Sequence, residues 1–149
     1  MLFKTHLMVA IFIILIFISY VNSKLVFAIM ILIATIIPDL DTKSTYGKYF
    51  NFEPITKHRG FIHSFTTAAI LAGLIAIKWP VASFGFFLGY SVHLITDSFT
   101  REGIQPFWPF KWKTYGPIIT GGKIEEILFF GLIFVNVLFF LFLFIPNYI

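Results

Sequence analysis

The chain has 149 residues, of which 58% are hydrophobic, 20% are aromatic and only 12% are charged. Soluble globular proteins carry about a quarter charged residues, and so short a chain has a large surface to cover. These proportions exclude an ordinary soluble domain and predict a protein surrounded by lipid. The apolar runs are continuous and do not alternate like barrel strands, so we predict an all-α membrane bundle. The absence of cysteine excludes disulfides, thiolate metal sites and thiol nucleophiles.

Five apolar stretches predict about five helices in a single membrane-embedded domain that covers residues 1–149. In chain order they are 7–21, 25–37, 61–77, 81–99 and 124–145. The connections 22–24 and 78–80 are short and predict two helical hairpins. A bilayer core needs about 20 apolar residues in a helix, so several of these spans are short and their ends should lie at headgroup depth.

The first stretch also fits a secretory signal peptide. Lys4, an apolar run and the small residue Ser23 are the parts of such a peptide, with cleavage after Ser23. Cleavage there would remove His6. The grouping of polar residues along the rest of the chain argues against this alternative.

Alternating spans place nearly all polar chemistry on one membrane face. The four histidines and seven acidic residues all fall on that face: His6, His58, His63, His93, Asp39, Asp41, Glu53, Asp97, Glu102, Glu125 and Glu126. On the opposite face the only ionisable side chains are Lys24 and Lys78. The excess of lysine and arginine on the polar face predicts that it is cytoplasmic, with the N-terminus inside and the protein in the cell (inner) membrane.

The spacing of these residues predicts a metal site. His93 and Asp97 are one helical turn apart on the same face, and Asp39 and Asp41 follow a helix end at Pro38. Nitrogen and oxygen ligands without sulfur favour Zn, Mn or Fe, and Mg at carboxylates. Each part alone also fits a solvated loop, a helix cap or a headgroup contact. The prediction therefore depends on their convergence.

Four segments resemble one family. They are PDLD at 38–41, HRGFIHS at 58–64, LGYSVHLITDSFTREG at 88–103 and the PFWPFKWK that follows. Together they resemble the YdjM-like family of inner-membrane proteins classed as metal-dependent hydrolases, some of them described as LexA-regulated. That family is distantly similar to zinc-dependent phospholipases C and fungal single-strand nucleases. The resemblance runs from His6 to about Glu125.

The resemblance implies a ligand set and roles for further residues. It implies that about two zinc ions, or Mn, Fe or Mg in their place, are bound by His6, Asp39, His58, His63, His93 and Asp97. Asp41 would be a further ligand or an acid beside the metals, and Glu125 matches an acidic position of the family.

These residues predict hydrolysis of a phosphoester bond by a metal-activated water. Asp41 or Glu125 would accept the water's proton, and Arg59 would hold a phosphate oxygen, as Arg101 also could. A helix-end charge for Arg59 and a headgroup anchor for Arg101 are the alternatives.

The predicted site lies at the depth of the lipid headgroups, and this depth predicts that it acts on a lipid or lipid-linked substrate. The segment 108–113 mixes tryptophan, phenylalanine and lysine, which suits an anionic lipid surface or a plain anchoring belt. Its few cations are too small a footprint for nucleic acid, so we expect none to bind.

The main alternative is a non-catalytic metal-binding membrane protein, such as a sensor, a carrier or an assembly factor. A carrier should place its ligands near the bilayer midplane, whereas the ligands predicted here lie at one end of the helices. A membrane protein that acts in the DNA-damage response through partners is a third alternative. It would leave His93 and Asp97 unexplained.

Overall fold

The computed structural model describes residues 1–41 and 60–145, and these form helices joined by turns and loops. The helices are α1 (Phe3–Phe17), α2 (Lys24–Ile36), α3 (Phe65–Ala76), α4 (Pro80–Ser98) and α5 (Lys123–Phe144). A short 3-10 turn, Ile37–Asp41, continues α2. Within the described ranges no β-strand occurs, only two isolated bridges in the loop after α4. The predicted all-α class is therefore confirmed.

The helix boundaries differ from the apolar stretches because hydrogen bonding, not hydropathy, ends a helix. α1 begins at Phe3 and so includes His6, which the apolar stretch leaves out. α3 begins only at Phe65, because the side chain of Ser64 accepts a hydrogen bond from the Thr67 amide (3.2 Å) and caps the helix. The four residues before Phe65 thus form a turn in place of the predicted first helical turn.

α4 is the central helix, and it packs against α2, α3 and α1. Its closest neighbour is α2. A Cβ on Gly85 would lie 2.8 Å from the Phe27 carbonyl oxygen, and one on Gly89 only 2.3 Å from that of Ile31. Phe27 and Ile31 are fully buried at this contact. The two glycines, one turn apart, let the helix backbones approach closely, as small residues do between membrane helices.

Gly89→Ala is expected to destabilise the fold by about 1–3 kcal/mol, because the added methyl group would overlap the α2 backbone and push the helices apart. Thermal unfolding in detergent measures the effect. Gly73→Ala is the matched control, since a Cβ there meets no atom within 4 Å, and alanine is the better helix former. Equal stability of the two variants would contradict the close α2–α4 contact.

Of the described helices, α5 alone is both long enough and apolar enough to span a bilayer, since it has 22 residues and contains an 18-residue stretch with a mean hydropathy of 2.9. It packs chiefly against α1. Asn136 of α5 donates a hydrogen bond to the Met8 carbonyl oxygen of α1 (3.0 Å), which holds the two helices together. α1 and α3 are apolar but shorter. Of the about five membrane helices predicted, the structure therefore supports one, α5, as a span by its length and hydropathy.

Candidate metal centre

Five of the predicted ligands meet where α1, α2, α3 and α4 come together. They are His6 in α1, Asp39 in the 3-10 turn, His63 just before α3, and His93 and Asp97 in α4. The three histidine side chains are fully buried, and Asp97 is 1% exposed. Fully buried ionisable residues need partners. Because so many ionisable side chains are buried together here, this cluster is the candidate functional site of the described chain.

The ligand atoms form two overlapping groups with metal-binding spacing. His6, Asp39 and His93 form one group and His63, His93 and Asp97 the other, each with ligand atoms within 4.8 Å of one another. His93 Nε2 lies 3.6 Å from Asp39 Oδ1 and 3.7 Å from Asp97 Oδ2. These distances are long for hydrogen bonds. They are near the separation of about 3.4 Å between two ligands of a tetrahedral metal with bonds of about 2.1 Å.

The remaining two contacts of Asp97 complete this geometry. Its Oδ2 lies 3.9 Å from His63 Nε2, and its Oδ1 lies 3.2 Å from His6 Nε2. The α-amine of Met1 also contacts Oδ1. Asp97 therefore faces all three histidines with both oxygens, and its carboxylate is the group that connects them.

Hydrogen bonds behind two histidines fix which ring nitrogen faces the centre. Nδ1 of His93 donates to the Thr35 carbonyl oxygen (2.8 Å). Nδ1 of His6 lies 2.8 Å from the hydroxyl of Thr96, which is also 2.8 Å from the His93 carbonyl oxygen. When the hydroxyl donates its one proton to that carbonyl, it accepts from Nδ1 of His6. Both rings then carry their proton on Nδ1 and present the lone pair of Nε2 inward, the arrangement that metal-ligating histidines adopt.

Both inward nitrogens are buried without a hydrogen bond. Among the described residues, Nε2 of His6 and Nε2 of His93 find no such partner. Buried polar atoms are rarely left in this state. The two rings also stack, with centroids 3.9 Å apart and planes at 12°. A cation between these nitrogens and the two carboxylates would satisfy them together, so the donor set fits a divalent metal.

Burial raises the pKa of the Asp39 carboxyl above its usual range, and the nearby charge of Asp97 adds to the effect while the histidines oppose it. Asp39 lies in the 3-10 turn, and its side chain is 28% exposed. A carboxylate poorly solvated in this way gains from a cation beside it.

The turn that carries His63 is held by three neighbours. The hydroxyls of Ser64 and Thr67 both donate to the Phe61 carbonyl oxygen (2.6 Å each). The hydroxyl of Tyr90, on α4, donates to the Ile62 carbonyl oxygen. Tyr90 is itself fully buried. His63 is thus positioned by a rigid turn next to the helix that supplies His93 and Asp97.

Comparison with known proteins agrees with an association with a membrane. The profile of the YdjM family, described as YdjM inner membrane protein, matches residues 1–148. The chain belongs to the YdjM family. Family membership and the span-length helix α5 together support association with a membrane.

Two proteins named YdjM show how far this likeness extends. The inner membrane protein YdjM of Escherichia coli (strain K12) and that of Shigella flexneri are each 29% identical over 113 residues. The match covers 65% of this chain and 58% of each YdjM protein. The chain therefore spans less than two thirds of those relatives. No solved structure matches the chain.

Three of the predicted site residues fall wholly or partly outside the part of the chain that the structure describes. His58 and Arg59 lie outside the described ranges, as does the side chain of Asp41. The 3-10 turn that ends at Asp41 does start next to the centre, since Asp39 is in it. Residue 60, where the described chain resumes, lies three residues before His63. The roles of His58, Arg59 and Asp41 stay predictions.

Glu125 is buried away from the histidines and holds the beginning of α1. Its carboxylate accepts hydrogen bonds from the Leu2 amide (2.6 Å), the Thr5 hydroxyl (2.8 Å) and the Gly121 amide (2.7 Å). It is 1% exposed. The residue next to Thr5 is His6, so these hydrogen bonds fix the helical turn that carries one of the candidate ligands.

The sequence analysis missed Thr35 and Thr96, which orient the histidines. Both are polar residues in apolar helices, and Thr96 directly precedes Asp97. That position is a signal, but the pairing of each threonine with a histidine from another helix depends on how the helices pack.

Proposed function

We propose that this protein is a membrane-bound metal-dependent hydrolase that cleaves a phosphoester bond in a lipid or lipid-linked substrate. One observation carries the proposal. His6 and His93 turn buried, unbonded Nε2 atoms toward the carboxylates of Asp39 and Asp97, at a spacing that suits a shared metal. Such a cluster is costly in an apolar bundle unless it has a function.

In this proposal the metal is bound by His6, Asp39, His63, His93 and Asp97, with His58 as a further ligand. Imidazole and carboxylate donors favour zinc, with Mn, Fe or Mg as alternatives. The overlapping groups that share His93 would accommodate about two ions. When bound, a divalent metal of this kind lowers the pKa of a bound water toward about 7 and polarises the phosphoester.

The chain's own residues would orient the reactants and move the proton. Thr35 and Thr96 keep His93 and His6 in the Nδ1-protonated form, and Asp97 balances the charge of the centre. We assign proton acceptance to Asp41, because the three hydrogen bonds of Glu125 commit its carboxylate to positioning α1. Arg59, next to His58 in the chain, would hold a phosphate oxygen.

A hydrolysis screen tests the proposal. The protein, purified in detergent, is offered phospholipids and soluble phosphodiesters with and without added zinc, beside His93→Ala. Metal-dependent turnover that His93→Ala abolishes is the expected result. Ile95→Ala is the matched control, since Ile95 lies on the same helix and is 46% exposed. Stoichiometric metal without turnover on any phosphoester would contradict the hydrolase and favour a metal sensor or carrier.

We further propose that the chain crosses the inner membrane several times, with the centre on the cytoplasmic face and the N-terminus inside. The support is the asymmetry of lysine and arginine in the sequence. Lys78, between α3 and α4, and Lys113, in the loop after α4, are both exposed and fall at opposite faces in this arrangement.

Single cysteines at these two positions would report the orientation, because the chain has no cysteine of its own. In intact cells, a membrane-impermeant maleimide is expected to label Lys78→Cys and to label Lys113→Cys only after the membrane is permeabilised. The reverse pattern would overturn the cytoplasmic placement, and labelling of both in intact cells would contradict a separation by the membrane.

A further inference from the structure

An apolar crevice lies between the beginning of α1, the end of α4 and the first half of α5. Its volume is about 220 Å³. Side chains from all three helices line it, including Thr5, Val9, Thr96, Phe99, Leu128 and Leu132. No residue of the metal-binding groups is part of this lining. The crevice is therefore a separate feature of the fold.

The inner end of the crevice touches the groups that hold the centre. Thr96, in its wall, contacts the Nδ1 atom of His6 through its hydroxyl (2.8 Å). Thr5, also in the wall, precedes His6 and donates to Glu125 (2.8 Å). A molecule that filled the crevice would thus end within one side chain of His6.

The outer side of the crevice faces the surroundings of α5. This helix packs chiefly against α1, so its first half stands away from α4 and leaves the gap between them. α5 has the length and hydropathy of a membrane span, and Leu128 in the crevice wall is 41% exposed. The medium around such a helix is lipid. What enters from that side is therefore hydrocarbon.

We propose that this crevice binds one hydrocarbon chain of a membrane phospholipid and so holds the lipid's phosphoester at the centre. The identification of that lipid as substrate rests on the proposed function. The lining offers only apolar surface to the chain. Pockets for whole ligands measure about 300–1,000 Å³. The smaller volume of this crevice suits part of one hydrocarbon chain, so the lipid headgroup would lie outside the crevice.

Photolabelling in vesicles tests this site. The protein is reconstituted in phosphatidylglycerol vesicles that contain a phosphatidylglycerol with a diazirine in one acyl chain, and labelled peptides are identified by mass spectrometry. Enriched labelling around Val9 and Thr96 is expected, relative to the exposed second half of α5 near Phe142. Labelling no higher at the crevice than near Phe142 would overturn the proposal.

Leu132→Trp should fill the crevice and reduce labelling there by about tenfold, which corresponds to the loss of about two buried methylenes. The matched control is Leu138→Trp, the same change on the same helix at a side chain that is 50% exposed and outside the crevice. Val9→Phe fills the crevice from α1 and replaces Leu132→Trp if that variant does not fold. Equal crevice labelling in the filled variant and the control would contradict the proposal.

His93→Ala separates this site from the proposed function, because labelling needs no turnover. Crevice labelling that persists in His93→Ala, where metal and hydrolysis are lost, supports the chain site independently of the centre. Enriched labelling in a protein without any hydrolysis would support the crevice as a lipid site and overturn the hydrolase. Hydrolysis by a protein that is labelled uniformly would support the hydrolase and overturn the crevice as a lipid site.

A kinetic comparison tests whether the crevice contributes to the proposed hydrolysis. In the active protein, Leu132→Trp is expected to raise KM for a long-chain phospholipid by about tenfold and to leave kcat/KM for a soluble phosphodiester unchanged. A proportional loss on both substrates would show general damage to the fold and contradict a specific chain site.

Discussion

Asp97→Asn is expected to weaken zinc binding by at least about 100-fold. The substitution preserves the size of the side chain but removes the charge that faces His6, His63 and His93 at 3.2–3.9 Å. Loss of a residue that merely supports a ligand costs about 10–100-fold in metal affinity, and we propose Asp97 as a ligand itself. Competition with a chromophoric chelator in detergent measures the affinity.

Glu126→Gln is the control for this change. It removes a carboxylate in the same way, but Glu126 is exposed and belongs to neither metal-binding group. Its zinc affinity should equal that of the unchanged protein. If Asp97→Asn and Glu126→Gln bind zinc equally well, the carboxylate of Asp97 does not coordinate metal.

Glu125→Ala is expected to lower the free energy of unfolding by about 2–4 kcal/mol. The change leaves the Leu2 amide, the Thr5 hydroxyl and the Gly121 amide without their acceptor. Each buried donor that loses its partner costs about 1–3 kcal/mol. The expected loss is smaller than the sum of three such costs because two of these bonds are only part-buried. Denaturant unfolding in detergent measures the loss.

The same variant should also bind zinc more weakly, because the freed end of α1 carries His6. Glu126→Gln serves again as control, since the neighbouring carboxylate is exposed and should contribute within about 0.5 kcal/mol. Glu125→Ala with unchanged stability would show that these hydrogen bonds of Glu125 are not formed. Reduced stability with full zinc affinity would show that they do not position His6.

The class of fold was predictable because hydropathy alone decides it. A chain with 12% charged residues and long apolar runs has few alternatives to membrane helices. A short connection between α1 and α2 was predictable for the same reason, but it covers residues 18–23 and not the predicted 22–24. The true ends of α1 and α3 were not, because they depend on backbone hydrogen bonds such as the cap at Ser64.

The grouping of the candidate ligands could be predicted because alternating helices return to the same face. The structure brings His6, Asp39, His63, His93 and Asp97 together in this way. The roles of Thr35 and Thr96 could not be predicted, since each acts on a histidine from a different helix. The close approach at Gly89, which sets how α2 and α4 meet, is equally invisible in the sequence.

The crevice beside α5 was also beyond the sequence. Its lining residues are mostly apolar and come mainly from three helices, and only the attachment of α5 to α1 opens a gap toward α4. The position of Asn136 indicates that attachment in retrospect, since its side chain bonds the Met8 carbonyl oxygen. From the sequence alone, an asparagine in an apolar helix does not show which group it will bond.

Metal analysis of the purified protein tests the central claim most directly. The chain is purified in detergent without chelator, equilibrated with zinc, freed of excess by gel filtration and analysed by inductively coupled plasma mass spectrometry, beside His93→Ala. We predict about one to two zinc ions per chain, and a loss of most of this metal in a folded His93→Ala. Less than stoichiometric metal in the folded unchanged protein, or equal metal in both, would contradict a metal centre at His93.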